Sequence, residues 1–228
     1  NRAERVGRLE ESITLMKELW TGEEVDHEGR YWTVRGGRLG ITPIQKPHPP
    51  IWLAALGPKM TQLAGAYADG LLVHPFMSKK HLDKHTIPNM LSGLNNQGRD
   101  PKDFVLTVGV IVGVHDGTEE DKNRAESAVR GMLGFYGSTP AYRPVLETHG
   151  WDELQPQLRR MTKEGRWGEL GNLFNQEHLH TLAVIGTPYE VGLELVKRFG
   201  GTSDRIALST PQGINSEWLS DLIRGVKS

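Results

Sequence analysis

The run Ala54-Ala55-Leu56-Gly57-Pro58-Lys59-Met60 sets two small side chains, a turn glycine and a lysine between an apolar stretch and a helical one. In that order the backbone amides of Lys59 and Met60 open a helix, where the first amides have no acceptor one turn back. Free amides at a helix N-terminus, with a lysine beside them, suit an anion such as a phosphate. The same composition also makes an ordinary strand-to-helix turn, so both readings stand. His74 follows the apolar run Leu71-Leu72-Val73. A histidine there can touch a ligand, move a proton near neutral pH, or be a satisfied structural residue. His115 and Asp116 hold a similar position, but Asp116-Gly117-Thr118 reads as a turn that caps the next helix.

Nine histidines prompt a search for a metal site. His81 and His85 have the i, i+4 spacing of a helical ligand pair, yet no HExxH frame and no nearby third ligand accompany them. His178 and His180 show no ligand-like spacing to the others, so no metal is expected. The sequence has no cysteine, which excludes disulfides, iron–sulfur clusters, thiolate zinc sites and a cysteine nucleophile. Neither GxGxxG nor a Walker sequence occurs, which argues against a Rossmann nucleotide domain. No catalytic acid or base is assignable from the residues.

Elements must hold these groups in place. Val6, Leu9, Ile13, Met16 and Trp20 form one apolar stripe at helical spacing, ending at Thr21-Gly22. Two β-rich runs flank Glu28-Gly29 and predict a hairpin. Residues 42–50 carry four prolines and must be an extended connector. Buried parallel strands are expected near 51–56, 71–75, 104–114 and 205–210. Lys59 to Ala68 reads as the helix between the first two, and a further helix begins at Ser78 and breaks near Pro88. Gly109 and Gly113 lie within a strand and mark close packing. Thr118 caps a helix whose face carries Ala125, Val129, Met132 and Tyr136. Residues 138–180 read as a helical insertion, with Trp151 and Trp167 in its core or walling a substrate pocket. Thr187-Pro188-Tyr189-Glu190 is a capping box, and Ser216 to Val226 a closing amphipathic helix.

The 228 residues suffice for one full-sized domain, taken as 1–228. Hydrophobic residues make up 37% and charged residues 24%, an ordinary globular balance. A formal net charge of −1 gives no electrostatic footprint for nucleic acid. No run of about 18 apolar residues predicts a membrane span. A cysteine-free chain without a signal-peptide pattern fits the cytoplasm.

The motifs taken together resemble the luciferase-like monooxygenase superfamily. Arg8-Leu9-Glu10-Glu11 through Leu19-Trp20-Thr21-Gly22, then Val25-Asp26-His27-Glu28-Gly29, is similar to the pattern after that family's fourth barrel strand. Pro47-His48-Pro49-Pro50-Ile51-Trp52-Leu53-Ala54-Ala55 looks like its fifth strand, and Ala64-Gly65 with Ala68-Asp69-Gly70 like the exit into the sixth. Ile185-Gly186-Thr187-Pro188-Tyr189-Glu190-Val191 resembles the start of its last helix. Phe135-Tyr136-Gly137-Ser138-Thr139-Pro140-Ala141-Tyr142-Arg143 and His149-Gly150-Trp151 resemble a subgroup that uses the deazaflavin coenzyme F-420.

The resemblance implies an α/β fold of the (β/α)8 TIM-barrel type with only about strands 5–8 present. It also accounts for a chain that begins at Asn1 and enters a helix at once. It implies a flavin- or deazaflavin-dependent oxidoreductase of unknown substrate, working by hydride transfer or monooxygenation, with F-420 as cofactor or FMN as the alternative. Its cofactor contacts would be Ala54, Ala55, Leu56, Gly57, Lys59, Met60 and His74. Small Ala54 and Ala55 would let a planar ring approach the backbone. The other reading is a non-catalytic flavin-binding or inactive fragment that associates through exposed barrel surfaces. Exposed strand edges and interior would favour a homo-oligomer.

Overall fold

Gly57 ends an apolar run with φ +80°, a backbone state that side chains rarely adopt, and Pro58 sits in the first turn of the helix that follows. That step from strand to helix is the repeating event of this fold. The computed structural model describes residues 2–228, with side chains from residue 4 onward; Asn1 lies outside the described residues. The chain divides into two compact units, one formed by Asn1–Leu71 and Thr86–Val105, the other by Leu72–His85 and Leu106–Ser228.

The first unit opens with α1 (Arg2–Leu19) and an antiparallel hairpin, β1 (Val25–Glu28) and β2 (Thr33–Gly37). The Glu11 carboxylate accepts from the amides of Tyr31 and Trp32 and meets His27 Nε2 at 3.3 Å, which fixes the hairpin on α1. After the proline-rich connector come β3 (Trp52–Ala54), α2 (Pro58–Tyr67) and the start of β4 (Gly70–Val73). Asp69 clasps the two strands: its carboxylate accepts from the Ile51 amide, and its own amide donates to the Ile51 carbonyl. Arg99 donates to the Gly65 and Ala68 carbonyls at the end of α2. The unit also holds α4 (Ile87–Asn96), which crosses α2 at Gly65 and Gly93. A Cβ on Gly65 would overlap the Met90 carbonyl oxygen, and one on Gly93 the Gln62 carbonyl oxygen, so the two backbones touch.

The second unit is built on β5 (Val105–Val114), buried at every residue after Val105. The end of β4 lies against it. A Cβ on Gly109 would stand 2.7 Å from the Val73 carbonyl oxygen, the close packing expected of that glycine. β6 (Ala183–Gly186) and β7 (Arg205–Ser209) both pair with β5 in parallel, with Ile111↔Ala183 and Thr107↔Arg205 opening the two registers. α5 (Glu119–Gly137) covers β5 with Ala125, Val129 and Leu133, and Thr118 caps it as expected. Residues 138–182 fold into α6 (Arg143–Glu147), α7 (Leu154–Lys163), α8 (Gln176–Leu182) and two 3-10 turns, around Leu146, Leu158, Leu170, Phe174 and Leu179. Then α9 (Pro188–Phe199) and α10 (Ser216–Lys227) cross at Gly192 and Gly225, again backbone against backbone.

Four expectations need correction. β6 is a strand that the sequence reading passed over: Ala183-Val184-Ile185 is only three apolar residues and runs straight into a helix start. The helix from Ser78 does not break at Pro88. α3 (Lys79–His81) leads into a π-turn, Leu82–Thr86, and Pro88 falls in the first turn of α4, where its missing amide leaves no hydrogen bond unmade. β3 and β7 are not buried on both faces: Ala54, Arg205 and Ala207 are exposed, and the alternation along β7 shows that one of its faces is left uncovered. Trp167 is 54% exposed and outside the core.

Candidate functional site

In the first unit, six of the expected contact residues come together at the β3–α2 turn. Ala54 is exposed at the end of its strand, Ala55 is buried, and Leu56 is half-buried. Gly57 has open space where its Cβ would be, so its positive φ, and no crowding, is what calls for glycine. No side chain caps α2. Thr61 N donates to the Gly57 carbonyl at 3.0 Å, while Pro58 has no amide to offer. The amides of Lys59 and Met60 therefore stand at the mouth of a ten-residue helix with no acceptor recorded among the described residues, and the Lys59 side chain is exposed beside them.

In the second unit, His74 ends β4 in an aromatic nest. Its ring stacks on Tyr142, 4.4 Å between centroids and 27° between planes, and meets Tyr136 edge-on at 4.6 Å. Phe76, fully buried, lies 5.7 Å from Tyr142. The Phe76 amide donates to His74 Nδ1 at 3.1 Å. Burial pushes the His74 pKa below its ordinary value. Tyr136 and Tyr142 entered the sequence reading only as parts of a helix face and of a motif. Two tyrosines six apart across a Gly-Ser-Thr-Pro turn were the available signal.

Four other histidines make structural contacts. His115 is buried, and its Nδ1 accepts from the Gly117 amide, while Asp116 accepts from the Thr118 amide and hydroxyl, so this stretch is the cap expected of it. His81 Nδ1 lies 2.6 Å from Thr148 Oγ1, which itself donates to the Pro144 carbonyl, so the ring nitrogen donates to the hydroxyl. His149 reaches Ser78 Oγ at 2.8 Å and stacks on Trp151. His178 completes a capping box with Asn175. Among the described residues, no group of three or more histidines or carboxylates could hold a metal ion. No helix among them is long and apolar enough to cross a membrane.

Parallel strands followed by helices make this an α/β protein of the kind found in (β/α)8 TIM barrels. The chain belongs to the luciferase-like monooxygenase family, whose model matches residues 1–203. An uncharacterised protein of Mycobacterium tuberculosis is 36% identical over 205 residues, 87% of this chain and 60% of that protein. The 5,10-methylenetetrahydromethanopterin reductase of Archaeoglobus fulgidus is 29% identical over 81% of this chain and 54% of its own length. An F-420-dependent glucose-6-phosphate dehydrogenase of Microbacterium testaceum is 36% identical over 49% of this chain and 33% of its own. The F-420-dependent tetrahydromethanopterin reductase of Methanopyrus kandleri shares the fold, with TM-score 0.77 and 22% identity over 96% of this chain and 61% of that one. The chain thus spans less than two thirds of the length of these relatives.

Proposed function

We propose that this chain is the C-terminal portion of a flavin- or deazaflavin-dependent oxidoreductase, with F-420 as cofactor and FMN as the alternative. Residues 138–180 are then a helical insertion in its barrel. The observation that carries the reading is the uncapped N-terminus of α2, with exposed Lys59 beside it and small Ala54 and Ala55 leading into it. Both cofactors bear a phosphate and a flat ring. The amides of Lys59 and Met60 would hold the phosphate, helped by the lysine charge, and the backbone at Ala54, Ala55, Leu56 and Gly57 would lie against the remainder. When bound, the cofactor supplies two-electron chemistry; the protein positions it and excludes water. A partner metabolite is a small molecule of unknown structure, and a cysteine-free chain suits the cytoplasm. His74 is proposed as a ligand contact of its own unit.

A fluorescence titration with F-420, FMN and riboflavin tests this. F-420 should bind saturably. Lys59→Ala should weaken F-420 and FMN about tenfold and leave riboflavin, which has no phosphate, unchanged. Equal loss for riboflavin would remove the phosphate assignment, and no binding of any of the three would sink the reading. The second reading, a non-catalytic fragment that associates with copies of itself, draws on the exposed apolar residues of α9 and α10, Leu193, Val196, Leu219, Ile223 and Val226.

A further inference from the structure

We infer that His74, framed by Tyr136 and Tyr142, is a fixed neutral N–H donor for an uncharged carbonyl oxygen of a ligand, and not a base. The inference deepens the reading of His74 as a ligand contact and stands on the second unit alone.

The tautomer follows from one hydrogen bond. The Phe76 amide has a single hydrogen and gives it to His74 Nδ1, so that nitrogen must present its lone pair. A neutral imidazole with a bare Nδ1 carries its hydrogen on Nε2. Burial favours the neutral ring, and the aromatic side chains around it, Tyr136, Tyr142 and Phe76, carry no charge. A charged ligand group would find no counter-charge among these rings. Arg143, next in sequence to Tyr142, is turned to Glu147 at 2.7 Å. Nε2–H has no acceptor among the described residues, although the ring is only half exposed. That donor is left open to a ligand oxygen.

The aromatic neighbours set the direction. Tyr142 stacks on one face of the imidazole, and Tyr136 stands nearly perpendicular to both rings, at 89° to His74 and 76° to Tyr142. With Phe76 beside both tyrosines, the imidazole cannot tilt without losing these ring contacts. The surroundings are flat, apolar and uncharged. They fit the carbonyl of an uncharged compound with an aromatic or hydrocarbon body. The ring carbonyl of a flavin-type cofactor offers the same chemistry.

The test uses the full chain labelled with 15N in its histidines. Two-bond proton–nitrogen spectra show which ring nitrogen of His74 carries hydrogen, with His74→Gln assigning the signals. Should that variant fail to fold, Tyr142→Ala identifies them by the lost ring-current shift. The expected result at neutral pH is the Nε2–H form. Acetophenone or riboflavin should then move the Nε2 signal saturably, while benzoate, which differs by its charge, should not. A response to acetophenone points to a substrate carbonyl, and one to riboflavin alone points to the cofactor ring. Tyr142→Ala should weaken the response about tenfold, and Tyr142→Phe should keep it, since stacking and not the hydroxyl does the work. An Nδ1–H form, a benzoate response equal to that of acetophenone, or no response to either carbonyl compound would overturn the inference. If F-420 and FMN fail to bind at Lys59 while acetophenone still moves His74, the cofactor proposal falls and this one stands.

Discussion

His81 shows how a buried imidazole couples the protein to pH. It is 9% exposed, and burial, with His85 and His149 nearby, lowers its pKa from 6.5 to about 4. The unfolded chain would bind a proton at that site between these two values and the folded chain would not. Stability from His81 is therefore complete above about pH 6.5, is lost as pH falls toward 4, and changes no further below. His149 and His178 are shifted the same way by burial. The part due to His81 is about 2 kcal/mol after allowance for solvent screening. Urea denaturation midpoints should fall between about pH 7 and about pH 4.5, and His81→Gln should shallow that fall; an unchanged slope in the variant would remove His81 as its source. None of this was legible in the sequence. The sequence set the i, i+4 pair His81 and His85 aside as structural for want of a third metal ligand, but the partners that matter, Thr148 and His149, come from a distant stretch of chain.

Elements with strong local chemistry were the legible ones. Thr187 and Glu190 form the expected box, with Glu190 accepting from the Thr187 amide at 2.9 Å and, in addition, from its hydroxyl at 2.7 Å. Thr187→Ala should cost about 1 kcal/mol, read as a shift in the denaturation midpoint with an unchanged slope. Thr118 and the strand of residues 105–114 were equally plain, the first from its acidic first turn and the second from ten apolar or small residues in a row. What the pattern could not give was anything set by neighbours. The exposure of Ala54 and Ala207 depends on what packs on the faces of their strands, and the π-turn at residues 82–86 depends on how a helix absorbs a proline. The β3–α2 turn was read correctly as a turn with open amides. The Tyr136–Tyr142 frame around His74 was not read, because contact across six residues of turn leaves no period in the sequence.

At the scale of the molecule, the unresolved balance lies on the outer face of α9 and α10. Leu193, Val196, Leu219, Ile223 and Val226 are each at least 40% exposed, and beside them Leu195, Phe199, Ile206 and Leu208 line a hollow of about 340 Å³. An apolar face of this kind, rimmed by polar residues, is the mark of a contact surface. The expected outcome in sedimentation velocity is concentration-dependent self-association, reduced by Ile223→Lys. A monodisperse monomer at all concentrations would end the homo-oligomer proposal.

The glycine crossings have a consequence for how this sequence can drift. A seam made of two helix backbones is specified by vacancy, so it asks nothing of the side chains beside it except that four positions stay empty. In a saturation scan for folded protein, Gly65, Gly93, Gly192 and Gly225 should stand as isolated intolerant columns, each refusing even alanine. Exposed neighbours such as Leu193 should accept most exchanges. Two lineages of this chain could then come to share little along these helices while keeping the same four gaps.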